Sequence, residues 1–294
     1  MSESKGGPED KAAGGEYVIT FVCPDGPGIV HDITGALLGL GGNVTESQQF
    51  VNAERGRFYM RVQVSAPATA EEVRGALAQV ASARDIEFEV DAAGRRCRTL
   101  LLASKEEHCV NDLLFQRRRG YVPIDVPLVL ANHPDAGPIA EFYGVDFEYL
   151  PISGPGDKEA FEARVLEAVD EHDIELVVLA RYMQILSPEL SSALAGRCIN
   201  IHHSFLPGFK GANPYRQAHE RGVKQIGATA HFVTADLDEG PIIEQEVARV
   251  DHTRSPAELR AIGQDTECRA LRQAVTWFAE SRVLLDGRRT IVFT

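Results

Sequence analysis

The chain has 294 residues, of which 44% are hydrophobic and 25% are charged, and its formal net charge is -13. This composition is typical of a globular protein of about two domains, and it excludes collagen-like and wholly disordered chains. The excess of acidic residues repels nucleic acid phosphates and anionic lipids, so we expect neither a nucleic acid nor a membrane as a partner.

Residues 1–15 are rich in glycine, alanine and charged residues and lack the apolar segment of a secretory signal. We therefore predict a disordered tail over 1–15 and a cytoplasmic location. The cysteines are scattered and none has Cys-x-x-Cys spacing, which argues against a disulfide framework and against a thiolate zinc site. They are Cys23, Cys97, Cys109, Cys198 and Cys268.

The pattern of residues 16–91 predicts the order βαββαβ, with apolar residues at helical spacing in the two helices. In the strand over 58–64 the apolar residues alternate with Tyr59, Arg61 and Gln63, which is typical of a half-buried strand with those three on its outer face. This order predicts a ferredoxin-like domain, in which a four-stranded sheet carries two helices on one face.

Residues 92–98 are short and polar and are predicted to form a linker. From residue 99 to residue 294, short apolar runs without alternation are separated by helical segments. Strands of this kind are buried on both faces of a mostly parallel sheet, so we predict a doubly wound, Rossmann-like α/β domain. The predicted parallel strands are 99–103, 126–131, 146–150, 176–179 and 198–202.

The strand over 198–202 delivers polar side chains to the carboxyl edge of this sheet, where ligands bind in such folds. Asn200 and His202 are two residues apart, so both side chains point to one face. An amide, an imidazole and a carboxylate from another loop would suit acyl chemistry, because the amide stabilises an oxyanion and the imidazole moves a proton. From spacing alone, a hydrogen-bonded structural pair remains open.

Several motifs in order resemble the folate-dependent formyltransferase family. They are Asn200-Ile-His202, Ser204-Phe-Leu-Pro207, Phe209-Lys-Gly211 and Asp238-Glu-Gly240 followed by Pro241-Ile-Ile243. Residues 16–91, with the turn Asp25-Gly-Pro-Gly-Ile29, resemble an ACT domain. An ACT domain joined to a formyltransferase domain is the layout of the formyltetrahydrofolate deformylases.

The resemblance implies a catalytic trio of Asn200, His202 and Asp238, with 10-formyltetrahydrofolate as substrate and neither a metal nor a prosthetic group. It also implies two loops that hold the pteridine, largely through backbone groups, and a glycine, Gly211, against the formyl side of the cleft. The residues of the two loops are Met183, Gln184, Ile185, Leu186, Val233, Thr234, Ala235 and Asp236.

Two features favour hydrolysis over transfer. The loop after the first strand of the second domain lacks the glycines with which the resembling transformylases cradle a phosphate, and it carries Glu106 and Glu107 instead. His202 is followed by His203, where the transferases usually have proline. We therefore predict release of formate, which balances the one-carbon folate pools and supplies purine synthesis. The alternatives are transfer to a small amine without phosphate, or a silent folate sensor.

Other polar residues have simpler interpretations. His203 either contacts the attacking water or only packs. His108 and Cys109 are adjacent and are predicted to close the first-strand loop rather than to form a nucleophilic pair. His231 lies in a strand and is predicted to be structural. The ACT domain either binds an amino acid or one-carbon effector or pairs subunits, and both roles imply a homo-oligomer, a dimer or a tetramer.

Overall fold

The computed structural model describes residues 14–206 and 214–294. The described residues divide into two compact units. The first unit runs to Arg95 and includes Glu280–Arg282 and Phe293, and the second contains Arg96–Ala279, Val283–Val292 and Thr294. Within these described ranges no helix is long and apolar enough to cross a membrane.

The first unit has a four-stranded antiparallel sheet with the strand order β2-β3-β1-β4. This is the ferredoxin-like arrangement that the sequence predicts, and the prediction is confirmed. Its elements are β1 (Gly15–Pro24), α1 (Ile29–Gly39), β2 (Asn43–Asn52), β3 (Arg57–Ala66), α2 (Ala70–Arg84) and β4 (Glu87–Ala92).

The apolar face of this sheet packs on the two helices, but the prediction that β3 is half-buried is wrong. Met60 and Val62 lie in the core as expected, whereas Tyr59 and Arg61, on the other face, are also buried. Arg61 donates hydrogen bonds from Nε and Nη2 to the backbone carbonyl of Glu280, at 3.2 and 3.1 Å. A segment distant in sequence therefore covers this face, which alternation within one strand cannot reveal.

The second unit contains an eight-stranded sheet with the path β12-β11-β10-β9-β5-β7-β8, beside which β6 pairs with β5. Strands β5 to β10 run parallel to one another, and β11 and β12 are antiparallel to their neighbours, so the predicted mostly parallel α/β fold is confirmed. The elements are β5 (Cys97–Ala103), α3 (His108–Arg119), β6 (Ile124–Asp125), β7 (Leu128–Ala131), α4 (Gly137–Tyr143), β8 (Asp146–Tyr149), α5 (Asp157–Glu171), β9 (Leu176–Ala180), α6 (Pro188–Ala193), β10 (Cys198–His202), α7 (Pro214–Arg221), β11 (Gln225–Phe232), β12 (Ile242–Arg249), α8 (Pro256–Ala279), β13 (Val283–Asp286) and β14 (Arg289–Val292).

Strand β5 has a separate core on each side. Leu101 and Ala103 belong to the cluster that includes residues of α3 and α8, whereas Leu100 and Leu102 belong to the cluster that includes residues of α5 and α6. All four side chains are completely buried. Burial on both faces explains why the strand is apolar without alternation, and it fixes the loops at its carboxyl end on a rigid base.

Candidate active site

The polar groups that the sequence singles out meet at the carboxyl end of β10. Asn200 and His202 are both half-buried and line one cavity with Asp238. Asp238 lies in the loop between β11 and β12 and has a φ of 57°, in the left-handed region that few residues other than glycine adopt. Strained backbone of this kind persists where the surrounding structure holds it, and it is frequent at functional sites.

Asp238 fixes the orientation of the His202 ring. His202 Nδ1 lies 3.2 Å from Asp238 Oδ2, and His202 Nε2 lies 3.0 Å from the Ser204 hydroxyl oxygen. The hydrogen bond from His202 is the largest of the causes that hold the pKa of Asp238 well below its usual range, so the carboxyl group is ionised. Because a carboxylate only accepts hydrogen bonds, Nδ1 carries the hydrogen and Nε2 is the basic nitrogen of neutral His202.

His231 joins this cluster, although the sequence reasoning treated it as structural. Its Nδ1 lies 2.9 Å from the carbonyl oxygen of Phe232, so Nδ1 carries the hydrogen of the neutral ring. Its Nε2 lies 3.3 Å from Asn200 Nδ2 and 3.7 Å from Asp238 Oδ1. His231 therefore accepts one hydrogen from the Asn200 amide and leaves the second amide hydrogen available.

Two local features place His231 there. It lies opposite Asn200 in the antiparallel pair of β10 and β11, and the register of β11 against β12 shifts between Ala230 and His231. Such β-bulges re-aim side chains and are common beside active sites.

His203 stacks on His202 and contacts a cation. The two rings are 5.0 Å apart between centroids, with an angle of 17° between their planes. His203 Nδ1 accepts a hydrogen bond from Nη1 of Arg181 at 2.7 Å. Burial, together with the charge of Arg181, lowers the pKa of His203 to about 4. His203 is therefore a neutral ring beside the catalytic candidate.

A cavity of about 250 Å³ opens beside the trio. Every described residue of the two predicted folate loops lines it. These are Met183, Gln184, Ile185 and Leu186 from the loop after β9, and Val233, Thr234, Ala235 and Asp236 from the loop after β11. Gly211, the predicted residue on the formyl side, lies outside the described residues.

The loop after β9 is held by two polar side chains from neighbouring elements. The backbone amide of Met183 donates to the Ser104 hydroxyl at 3.0 Å, and that hydroxyl donates to Asn132 Oδ1 at 2.7 Å. The amide of Ser187 donates to Glu162 Oε1 at 2.9 Å. Ser104 and Asn132 are both buried. These hydrogen bonds hold the backbone of a loop that forms one wall of the cavity.

A second cavity, of about 760 Å³, reaches the same His202 and Asp238 from another side. Leu237 lines both cavities. The second cavity is also lined by Arg288 and Arg289, and Arg288 Nη2 lies 3.3 Å from Glu239 Oε2. His202 and Asp238 thus border both cavities.

His108, Cys109 and Cys268 also meet in the second unit, with their potential ligand atoms within 4.8 Å of one another. Burial and a hydrogen bond with Cys268 raise the pKa of the Cys109 thiol, so this group is a neutral thiol. The His108 ring is engaged with buried Glu267, with 2.8 Å between Nε2 and Oε2. This contact ties the first-strand loop to α8, consistent with the predicted role of His108 in closing the loop.

Comparison with known proteins agrees with the geometry. The protein family described as "Formyl transferase" matches residues 97–275, and the family "ACT domain" matches residues 16–91. The chain is 48% identical to the formyltetrahydrofolate deformylase of Corynebacterium sp. (strain P-1), over 94% of this chain and 97% of that one. The chain belongs to the formyltetrahydrofolate deformylase family. The Bacillus subtilis (strain 168) deformylase is 41% identical over 100% of this chain and 97% of that one.

A solved deformylase structure matches almost the whole chain, whereas a solved transferase structure matches about two thirds of it. The Burkholderia mallei formyltetrahydrofolate deformylase superposes with a TM-score of 0.92 at 46% identity, over 95% of this chain and 100% of that chain. The Symbiobacterium toebii glycinamide ribonucleotide transformylase has a TM-score of 0.65 at 33% identity, over 69% of this chain and 97% of that one. The full two-unit layout is therefore that of the deformylase family.

The structure brings the predicted trio together, and it adds His231, which the sequence reasoning treated as structural, and three residues that it did not assign to the site. His231 contacts Asn200, and Arg181 contacts His203. Ser104 accepts a hydrogen bond from the amide of Met183, and Glu267 forms an ion pair with Arg181. The signal for Glu267 was present in the sequence, since it is a carboxylate in an amphipathic helix at a position that is buried. An unpaired charge is almost never fully buried, so such a position predicts a polar partner.

Proposed function

We propose that the chain hydrolyses 10-formyltetrahydrofolate to formate and tetrahydrofolate. The observation that carries this proposal is the packing of Asn200, His202 and Asp238 at the edge of one cavity, in a chain of the deformylase family. The pteridine would occupy the cavity of about 250 Å³, between the loops after β9 and β11. The formyl group on N10 would then lie beside the trio.

In this mechanism Asp238 and His202 activate a water molecule. Asp238 Oδ2 faces His202 Nδ1, and Oδ1 lies 3.7 Å from the nearest His231 nitrogen, which leaves Oδ1 able to accept a hydrogen bond from water. The water takes the place of the Ser204 hydroxyl as the hydrogen-bond partner of His202 Nε2, and Nε2 accepts its proton as the new C–O bond forms. The ionised carboxylate then stabilises the imidazolium, and general base catalysis of this kind contributes about 10²–10⁴-fold.

Asn200 stabilises the tetrahedral intermediate in this proposal. His231 accepts one hydrogen of the Asn200 amide at 3.3 Å, so the amide presents its nitrogen, with the second hydrogen, to the developing oxyanion. Collapse of the intermediate breaks the bond between carbon and N10. The imidazolium of His202 returns its proton to N10, so tetrahydrofolate leaves as the amine. The carbon product is formic acid, which releases its remaining proton to solvent and becomes formate. The side chains supply each step, and we propose no prosthetic group.

We propose water as the acceptor of the formyl group, because the chain has the catalytic trio of the transferases but lacks the glycine-rich loop with which they bind a phosphate. The segment after β5 carries Glu106, whose side chain faces Arg260 and the amide nitrogen of Gln264. A second cavity gives solvent a route to Asp238. These features support hydrolysis, with the pool-balancing and formate-supplying role that the family resemblance implies.

We expect the purified protein to release formate from 10-formyltetrahydrofolate with no amine present. Formate can be measured with a coupled assay, and tetrahydrofolate by its absorbance. A parallel reaction with a pool of small amines is the control, because a formyltransferase would release tetrahydrofolate only there, together with a formylated product. Binding of the substrate without turnover in either reaction would contradict the proposal.

Asn200→Ala is expected to lower kcat for formate release by about 10²–10³-fold, since it removes one oxyanion donor. KM should change less, because the pteridine contacts come from other loops. Asn111→Ala is a matched control: Asn111 lies in α3, away from the trio, and contacts the Tyr143 hydroxyl. An Asn200→Ala protein with nearly wild-type kcat would exclude the oxyanion role.

For the first unit we propose effector binding, by an amino acid or a one-carbon metabolite, in a homo-oligomer. The match to an ACT domain over residues 16–91 supports this proposal. We also propose a cytoplasmic location, which is supported by five free cysteines, four of them buried.

A further inference from the structure

A buried ionic network lies behind His203, outside the trio. Arg181 donates to His203 Nδ1 at 2.7 Å, and its Nε lies 3.3 Å from Oε2 of Glu267. The Glu267 side chain is 1% exposed. Its two oxygens also face the Tyr215 hydroxyl, at 2.5 Å, and His108 Nε2, at 2.8 Å. One buried carboxylate on α8 therefore contacts residues from three other parts of the second unit.

The backbone is adapted to this network at two positions. Arg181 has a φ of 63°, which is unusual for a residue other than glycine, and this turn directly follows β9. Tyr215 reaches Glu267 across Gly263, where an added Cβ would lie 2.1 Å from the tyrosine hydroxyl. A strained arginine and a glycine gap for the tyrosine indicate that the contacts are built into the fold.

The contact with Arg181 determines which nitrogen of the His203 ring carries the hydrogen. A guanidinium has no acceptor, so the ring nitrogen that faces Arg181 must be the unprotonated one, and the hydrogen is on Nε2. The charged and titratable groups that face His203 are Arg181, His202, Glu267 and Asp238. Burial and the arginine disfavour a second positive charge, and Glu267 balances the charge of Arg181 itself.

The stacked pair of histidines makes this state relevant to catalysis. With ring centroids 5.0 Å apart, a positive charge on His203 would oppose the imidazolium that His202 must form. We propose that Arg181 and Glu267 are positioning residues: they hold His203 neutral, with its hydrogen on Nε2, so that His202 alone takes the proton of the attacking water. This role rests on the proposed hydrolysis, whereas the state of the ring does not.

The ring state can be measured on the free protein by NMR of isotope-labelled histidine. In the wild type, one imidazole with unprotonated Nδ1 should fail to titrate between about pH 5 and about pH 8, and it should be missing in His203→Gln. In Arg181→Met, and in the charge-balanced Arg181→Met/Glu267→Gln, the pKa of the same ring should rise from about 4 toward the ordinary histidine value of about 6.5, because the charge of Arg181 is, after burial, the largest cause that lowers it. The double variant is included because Arg181→Met alone leaves the buried Glu267 carboxylate without its cation, which would destabilise the protein.

The catalytic part is tested by the pH dependence of kcat for formate release. Between about pH 8 and about pH 5.5, kcat of the double variant should fall by about twofold more than kcat of the wild type, because a larger fraction of His203 would be protonated. Arg272→Met is the matched control, since it removes another α8 ion pair, 3.0 Å from Asp112, without touching His203. Its profile should match the wild type.

Three outcomes would overturn the proposal. Titration of wild-type His203 near the ordinary value would exclude the neutral ring. A ring that stays neutral in the double variant would mean that burial alone determines its state. A changed ring with an unchanged kcat profile would remove the role in catalysis. If the wild type releases no formate, the proposed function fails and this role fails with it, while the NMR result still decides the state of the ring.

Discussion

Asp238→Asn is expected to slow formate release by about 10²–10⁴-fold while leaving the fold intact. The carboxylate lies 3.2 Å from His202 Nδ1 and is the group that would stabilise the imidazolium. Asparagine has no charge with which to do so. If its amide nitrogen faces His202, it also favours the ring tautomer with the hydrogen on Nε2, which cannot accept a proton from water. Both effects lower kcat rather than substrate binding.

Asparagine is the informative substitution because of the backbone at this position. Asp238 has a φ of 57°, and asparagine tolerates the left-handed region better than alanine does. A change in kcat can then be attributed to the lost charge. Glu239→Gln is the matched control: it removes a carboxylate at the next position, where the side chain is 54% exposed, and kcat should stay within about twofold.

Both variants should be compared with the wild type by kcat for formate release and by thermal unfolding. An Asp238→Asn protein that keeps most of its activity would show that another group activates the water. Loss of activity together with a large fall in Tm would instead identify Asp238 as a structural residue.

The fold was largely predictable because its signals are local. Strand β5 is apolar at every position between Leu100 and Ala103, and burial on both faces of a parallel sheet requires this. The short helix α4 and the two-residue strand β6 were not predicted. Each is shorter than the window over which periodicity can be recognised, and α4 contains a proline in its first turn.

The trio was predictable to different degrees. Asn200 and His202 follow from their spacing on one strand, but Asp238 lies in a loop and was identified only by resemblance to a family. The contact of His231 with Asn200 was not predicted, because it depends on the register of β10 against β11, where the two residues pair. A single sequence does not contain that register, since it is set by the packing of both strands.

The network behind the site could not be predicted from spacing. Arg181 and Glu267 meet at 3.3 Å although they are far apart in the chain. Their contact depends on the packing of α8 against the sheet, and helix periodicity predicts that α8 packs but not which residue it faces. The sequence does predict that such a partner exists, because a carboxylate at a buried helical position needs a cation or several hydrogen-bond donors.

Gly240→Ala is expected to lower the free energy of unfolding by about 1–3 kcal/mol and to reduce kcat strongly. An added Cβ at this position would lie 1.7 Å from the carbonyl oxygen of Phe232 and 3.3 Å from His231 Nδ1. The first contact is with backbone, so no side-chain rotation can relieve it. Either β11 or the loop that carries Asp238 must move.

The movement would damage the site, because the same carbonyl orients His231. Phe232 O accepts the hydrogen of His231 Nδ1 at 2.9 Å, and the amide of Phe232 donates to Pro241 O at 2.9 Å, which closes the loop. Gly154→Ala is the control, since the nearest atom to its added Cβ lies 3.8 Å away and Tm should not change. If Gly240→Ala retained wild-type Tm and kcat, the loop would be able to shift without cost, and the exact position of Asp238 could not be what limits the reaction.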